Sequence, residues 1–153
     1  MHPRIAPKDL YTHQPAMPRH LRAIGQAVEE SGLEKTIIEL VKMRASQING
    51  CAYCLHMHAA EARKLGERQD RLDVLDAWRE VDWFTARERA ALAWTEALTN
   101  LTDGHATDAA YAEAKAPFTD AEFANLTAAI VTINAWNRVA VGLRFQIEKR
   151  ADQ

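Results

Sequence analysis

Cys51 and Cys54 are the only cysteines in a chain of 153 residues. Their C-x-x-C spacing puts two sulfurs three residues apart, where one helical face can join them as a reversible disulfide. A thiolate attacks and a thiol does not, so a reactive cysteine needs surroundings that lower its pKa below the ~8.5 of a free thiol. Asn49-Gly50 breaks the helical pattern just before the pair. The cysteines therefore begin a new helix, where unpaired backbone N–H groups and the positive end of the dipole favour negative charge. His58 lies one turn beyond Cys54, so its imidazole can take the thiol proton or, once charged, stabilise the thiolate. These features describe a dithiol redox centre.

Other residues compete for roles. Glu39 precedes Cys51 by twelve residues on the antiparallel neighbouring helix, and a hairpin could return its carboxylate to the cysteine turn as a proton acceptor. Taken alone, with Lys42 three residues on, it reads as a solvated residue in a surface ion pair. His56, half a turn from Cys54, reads equally as a surface or packing residue, and Tyr53 as packing with its hydroxyl at an edge. The cysteines could be purely structural, but a helix start with a histidine at the next turn favours reactivity. Cys51, Cys54 and His58 could also offer three metal ligands. Zinc needs a fourth or an open position, however, and no second C-x-x-C or paired His follows. Covalent haem needs a His directly after the second cysteine, where this chain has Leu55. No metal or cofactor is expected. Near the C-terminus, Asn134, Asn137 and Arg138 form a polar patch on an apolar helix, read as interhelical hydrogen bonding or an oligomer contact in preference to substrate binding.

Helices must position these side chains. Behind Pro18, which suits a first helical turn, Leu21, Ile24 and Val28 recur at helical spacing until Gly32. Over 34–48, Ile37, Val41, Ala45 and Ile48 trace one face of a second helix. The third begins at the cysteines, carries Cys51, Cys54, His58 and Ala62 on one face, and closes with Lys64 before Gly66. Leu72, Leu75 and Trp78 mark a shorter helix. Thr85-Ala86-Arg87-Glu88 is a capping box, opening a helix in which Ala91, Trp94, Leu98 and Leu101 share a face until Asp103-Gly104. A short helix over 108–115 is interrupted by Pro117. Thr119-Asp120-Ala121-Glu122, a second capping box, opens a long helix running to about residue 144. This last helix is apolar nearly all round from Leu126 to Trp136 and is expected to lie inside. Ile130-Val131-Thr132-Ile133 has strand propensity but no alternating partner elsewhere, so the fold class is all-α.

A chain of this length makes one domain, 1–153, able to bury roughly 70% of its unfolded surface. Hydrophobic residues at 48%, charged residues at 26% and a mean hydropathy of −0.33 exclude disorder, collagen and coiled-coil rods. Nineteen Lys and Arg against 21 Asp and Glu give a net charge of −2 with both signs scattered. That leaves no basic stripe for a phosphate backbone, so nucleic acid is not an expected partner. The Pro-rich stretch at 1–17 reads as an extended lead-in. Met1-His2-Pro3-Arg4 shows no signal pattern and no apolar run nears the ~18 residues of a membrane span. The expectation is no membrane partner and a cytoplasmic location.

The run Arg44-Ala45-Ser46-Gln47-Ile48-Asn49-Gly50-Cys51-Ala52-Tyr53-Cys54-Leu55-His56-Met57-His58, with Glu39 upstream, resembles the AhpD-like alkylhydroperoxidases of the carboxymuconolactone decarboxylase superfamily. The likeness is specific across 34–66, and Asn134-Ala135-Trp136-Asn137-Arg138 resembles the family's C-terminal helix. The resemblance implies an AhpD-like helical fold assembled as a homo-oligomer, trimer or hexamer. It also implies a two-cysteine peroxidase that reduces hydroperoxides and is reset by an external dithiol reductant, a lipoyl group, thioredoxin or similar. By position it makes Cys54 peroxidatic, Cys51 resolving, and Glu39 and His58 the proton relay, which reverses the solvated reading of Glu39. Tyr53 stands where the best-known members carry a histidine, so part of their relay is altered here. The decarboxylase branch generally lacks the cysteine pair, which argues against lactone chemistry. A role of another class, redox sensing or interaction without turnover, would use the same scaffold and disulfide.

Overall fold

A computed structural model describes residues 2–147 of the chain. The regular elements among these residues are all helical: α1 (Pro7–His13), α2 (Ala16–Glu29), α3 (Lys35–Ile48), α4 (Ala52–Lys64), α5 (Gln69–Asp73), a 3-10 stretch (Leu75–Glu80), α6 (Ala86–Thr99), α7 (Asp108–Lys115) and α8 (Asp120–Leu143). The local signals explain these boundaries. Both capping boxes form, Thr85 with Glu88 and Thr119 with Glu122, each pairing a threonine hydroxyl with an N–H one turn on and a glutamate with the threonine N–H. The Ile130–Ile133 run is helical, because α8 supplies every backbone partner that a lone strand would lack.

α3 is the central helix and packs against α4, α6 and α8. Its residues enter three hydrophobic clusters: Ile37, Ile38 and Val41 with Val28, Trp94 and Ile130, Leu40 and Met43 with Leu75, Trp78 and Leu92, and Ala45 with the two cysteines, Ile133 and Phe145. α8, expected to lie inside from Leu126 to Trp136, is buried there at Leu126, Ala129, Ile130, Thr132, Ile133 and Asn134, and Val131, at 59%, is the exposed residue of that stretch. α8 packs on α2, α3, α4 and α6. By length and composition alone it would also qualify as a membrane-crossing helix. It does so because residues 123–137 carry no charge, a property shared by core helices and spans.

Two segments depart from expectation. The lead-in contains α1, which Pro7 at the first helical turn and Asp9 beside the positive end of the dipole favour. Arg4 ties this segment to the end of α8, its backbone N–H donating to the Leu143 carbonyl (3.0 Å) and its guanidinium to that of Gly142 (3.0 Å). The single helix expected around Leu72 to Trp78 is divided into α5 and the 3-10 stretch, with Ala77 off helical geometry (φ −109°, ψ 26°). The Trp78 indole N–H donates to Glu96 of α6 (2.9 Å), which also accepts from Arg44 of α3 (2.8 Å) and from Arg79. This anchor fixes the irregular segment against the central helix.

Glu122 generates a pH test of the α8 cap. Its carboxylate accepts from the Thr119 backbone N–H (2.7 Å) and from Arg87 (2.8 Å), and these hydrogen bonds hold its pKa down at about 2, against an ordinary 4.5. A depressed carboxyl stabilises the fold above its unfolded pKa and loses that contribution as pH falls through the folded value. Chemical denaturation should show Glu122→Gln less stable than wild type above pH 4.5, with the gap closing as pH approaches about 2. A gap independent of pH would contradict the assignment.

Candidate functional site

The cysteine turn is built where α3 gives way to α4. Gly50 adopts φ +63°, a left-handed conformation that a residue with a Cβ resists, and lets the chain reverse in one step. The Cys51 N–H then bonds back to the Ser46 carbonyl (2.9 Å). Cys51 is the N-cap of α4, and its sulfur accepts the Cys54 backbone N–H (3.3 Å). In this structure the two cysteines are joined as a disulfide, with Cα atoms 5.4 Å apart.

Both sulfur-bearing residues are almost fully buried, Cys51 at 1% and Cys54 at 2% exposure, but their surroundings differ. Both belong to the apolar cluster with Ala45, Ala140 and Phe145, but Cys51 does not line the neighbouring cavity. Cys54 does line that cavity, which holds about 400 Å³ and is walled by Leu21, Met57, Ile133 and Trp136, with His58 beside Cys54. Tyr11 of α1 and Phe145 complete its apolar side. Tyr53 packs its ring edge-on to Phe145 at 5.6 Å, as its composition suggested. His56 is exposed and lies outside the cavity.

His58 and Glu39 are paired across α3 and α4, with Nδ1 of His58 2.8 Å from Oε2 of Glu39. The other oxygen, Oε1, accepts from Lys42 Nζ at 2.8 Å, and Lys42 reaches Glu29 of α2 at 3.3 Å. Glu39 is only 6% exposed, so the solvated reading of this residue is overturned; the reason is that α3 is central and has little outer face. Burial pushes the Glu39 carboxyl up, but hydrogen bonding and charge from His58, then Lys42, outweigh it and hold its pKa below the ordinary value. An ionised Glu39 can only accept, so Nδ1 of His58 carries the hydrogen and Nε2 is left free to take a proton. Among the described residues, no three His, Cys, Asp or Glu side chains converge as a metal-holding group.

A second set of residues positions the turn and was only partly legible. The Asn49 side-chain amide donates to Asn134 Oδ1 and Asn137 Oδ1, both at 2.9 Å. The Asn137 amide donates to Ser46 Oγ (3.0 Å), and that of Asn134 to Thr99 Oγ1 (3.0 Å). The polar patch of α8 thus serves interhelical hydrogen bonding within the chain, and Arg138 bonds back to Asn134 on its own helix. Asn49 and Ser46 were missed: Asn49 announced itself as half of an Asn-Gly break, which conceals a long-range role. The signal available was an asparagine pair on an apolar helix, which requires partners from elsewhere.

The model of the carboxymuconolactone decarboxylase family matches residues 15–97, which include Glu39, Cys51, Cys54 and His58. The chain is 36% identical over 115 residues to YdfG of Bacillus subtilis (strain 168), an uncharacterised protein, covering 75% of this chain and 78% of YdfG. It is 38% identical over 58 residues to the alkyl hydroperoxide reductase AhpD of Hyphomonas neptunium, or 38% of this chain and 31% of that protein. The crystal structure of an Agrobacterium tumefaciens protein of unknown function, a candidate antioxidant defence protein AhpD, is similar with a TM-score of 0.89 and 38% identity, covering 97% of this chain and 100% of that one.

The asparagine network generates its own prediction. Asn137→Leu keeps the volume but strands the Ser46 and Asn49 groups that Asn137 serves, which should cost about 1–3 kcal/mol in urea denaturation. A loss below about 0.5 kcal/mol, the scale of an inconsequential surface change, would show that the network does not hold the turn.

Proposed function

The chain belongs to the carboxymuconolactone decarboxylase family, and within it we propose that the protein is a thiol-dependent peroxidase that reduces hydroperoxides through a Cys51–Cys54 dithiol/disulfide cycle. The observation that carries this reading is the asymmetry of the pair. Cys54 faces an apolar cavity beside a histidine held by a buried carboxylate, while Cys51 lies behind it in the core. The partial match to an alkyl hydroperoxide reductase supports it.

In the reduced protein, His58 Nε2 takes the Cys54 proton, and Glu39 stabilises the resulting imidazolium through Nδ1–H. The start of α4 favours the thiolate. The thiolate attacks the outer peroxide oxygen: an S–O bond forms, the O–O bond breaks, and the leaving alkoxide takes the proton from His58 to depart as alcohol. Cys54 is then a sulfenic acid. Cys51 attacks its sulfur, the S–S bond forms, and hydroxide leaves with the Cys51 proton as water. An external dithiol, a lipoyl group, thioredoxin or similar, then exchanges with the disulfide and carries the two electrons in. We read the cytoplasm as its location, since a reducing compartment supplies such a donor. Its working form is a homo-oligomer, trimer or hexamer, with neither nucleic acid nor membrane as partner.

Single-cysteine variants separate the two roles. Cys54→Ser should abolish hydroperoxide consumption, whereas Cys51→Ser should consume about one equivalent and stop as a sulfenic acid that dimedone traps at Cys54. Full activity in Cys54→Ser would overturn the assignment. Disulfide formation in wild type without steady-state turnover with any dithiol donor would point instead to redox sensing.

A further inference from the structure

We propose that Lys42 is a positioning residue for this reaction: its ammonium, anchored by Glu29, holds Glu39 as an anion aimed at His58 and so keeps the relay proton on the imidazole, where the leaving alkoxide can collect it. This rests on the peroxidase reading above and adds a residue that the cysteine motif does not point to.

The geometry is specific. The two oxygens of Glu39 are divided, Oε2 to His58 Nδ1 (2.8 Å) and Oε1 to Lys42 Nζ (2.8 Å). Lys42 also reaches Glu29 of α2 at 3.3 Å, and its side chain is 15% exposed against 52% for Glu29, so the ammonium is largely withdrawn from solvent. The pair stands at a wall between two cavities. The apolar one contains Cys54 and not Glu39; the other, of about 390 Å³, contains Glu39 and not Cys54; Glu29, Lys42, Met57 and His58 line both. A proton that settled on Glu39 would therefore sit on the far side of the wall from the cavity in which alkoxide is released.

Burial alone would encourage that misplacement, because a desolvated carboxyl favours its neutral form. An ammonium on Oε1 opposes it directly, since protonating Glu39 would cost the ion pair. The charged groups around Glu39 are Glu29 from α2, Lys35 and Lys42 from α3, and His58, Glu61 and Lys64 from α4. Of these, Lys42 and His58 are the groups that touch the carboxylate among the described residues.

The test measures the pH dependence of Cys54 alkylation by iodoacetamide in the reduced Cys51→Ser background, where Cys54 is the single thiol, alongside cumene hydroperoxide turnover in the two-cysteine protein. Lys42→Met should move the acid limb of the alkylation profile upward by about one pH unit, slowing alkylation about tenfold on that limb. The same substitution should lower kcat more than it raises KM. Lys42→Arg should restore both, and Lys35→Met, in the same cavity but not touching Glu39, should leave both as in wild type. Glu29→Gln, which loosens the anchor without removing the ammonium, should shift the limb in the same direction by less, and it decides the matter if Lys42→Met does not fold. An unshifted limb in folded Lys42→Met, or in Glu29→Gln where that variant decides, would overturn the proposal. So would Lys42→Arg behaving as Lys42→Met. If wild type is alkylated at Cys54 but reduces no hydroperoxide, the peroxidase reading fails, and the alkylation profiles still decide whether Lys42 positions Glu39.

Discussion

A carboxylate taken out of water must be paired and hydrogen-bonded or it will not stay charged. Glu39 meets that condition by dividing its oxygens between His58 on the next helix and Lys42 on its own. Much of the fold follows from satisfying it. α3 must be central, so that Glu39 is dry. α4 must return antiparallel against it, so that a residue nineteen positions later reaches the carboxylate. The loop between them must be a single sharp turn, which is where Gly50 and the cysteines lie. The same hydrogen bond fixes the histidine tautomer, which connects packing to proton chemistry.

The turn has a second support at the C-terminal end of α3. Asn49, Asn134, Asn137 and Ser46 form a connected set of buried and half-buried hydrogen bonds that ties the last turn of α3 to α8. Buried amides of this kind act as registers, because a slip of either helix would leave several groups unpaired at once. The backbone bond from Cys51 to Ser46 carries that register into the cysteine turn. Cys54 is thus positioned from two sides, by the asparagines behind it and by the histidine pair beyond it.

Local signals in the sequence were legible and long-range burial was not. The threonine-glutamate boxes opened α6 and α8 where they were read, since a cap depends only on neighbours three residues apart. The C-x-x-C with His58 one turn on was legible for the same reason. α1 is one short helix behind a proline, too brief for its periodicity to stand out. Glu39 with Lys42 at i+3 looks identical whether the helix is outside or inside, and only packing on all sides by other helices distinguishes the two. The apolar character of α8 foretold its burial from Leu126 to Trp136 but not the exposure of Val131, because composition does not say which side of a helix its neighbours leave open.

Proposed as it is for a two-cysteine peroxidase, the account stands on the reactivity of one sulfur that faces a cavity and another that waits in the core. The direct measurement is to treat the fully reduced protein with one equivalent of an organic hydroperoxide and follow intact mass, free thiols and alcohol together. The account predicts a mass lower by two hydrogens, loss of both thiols to a Cys51–Cys54 disulfide, and alcohol formed in equal amount. Unchanged thiols and intact hydroperoxide would contradict it.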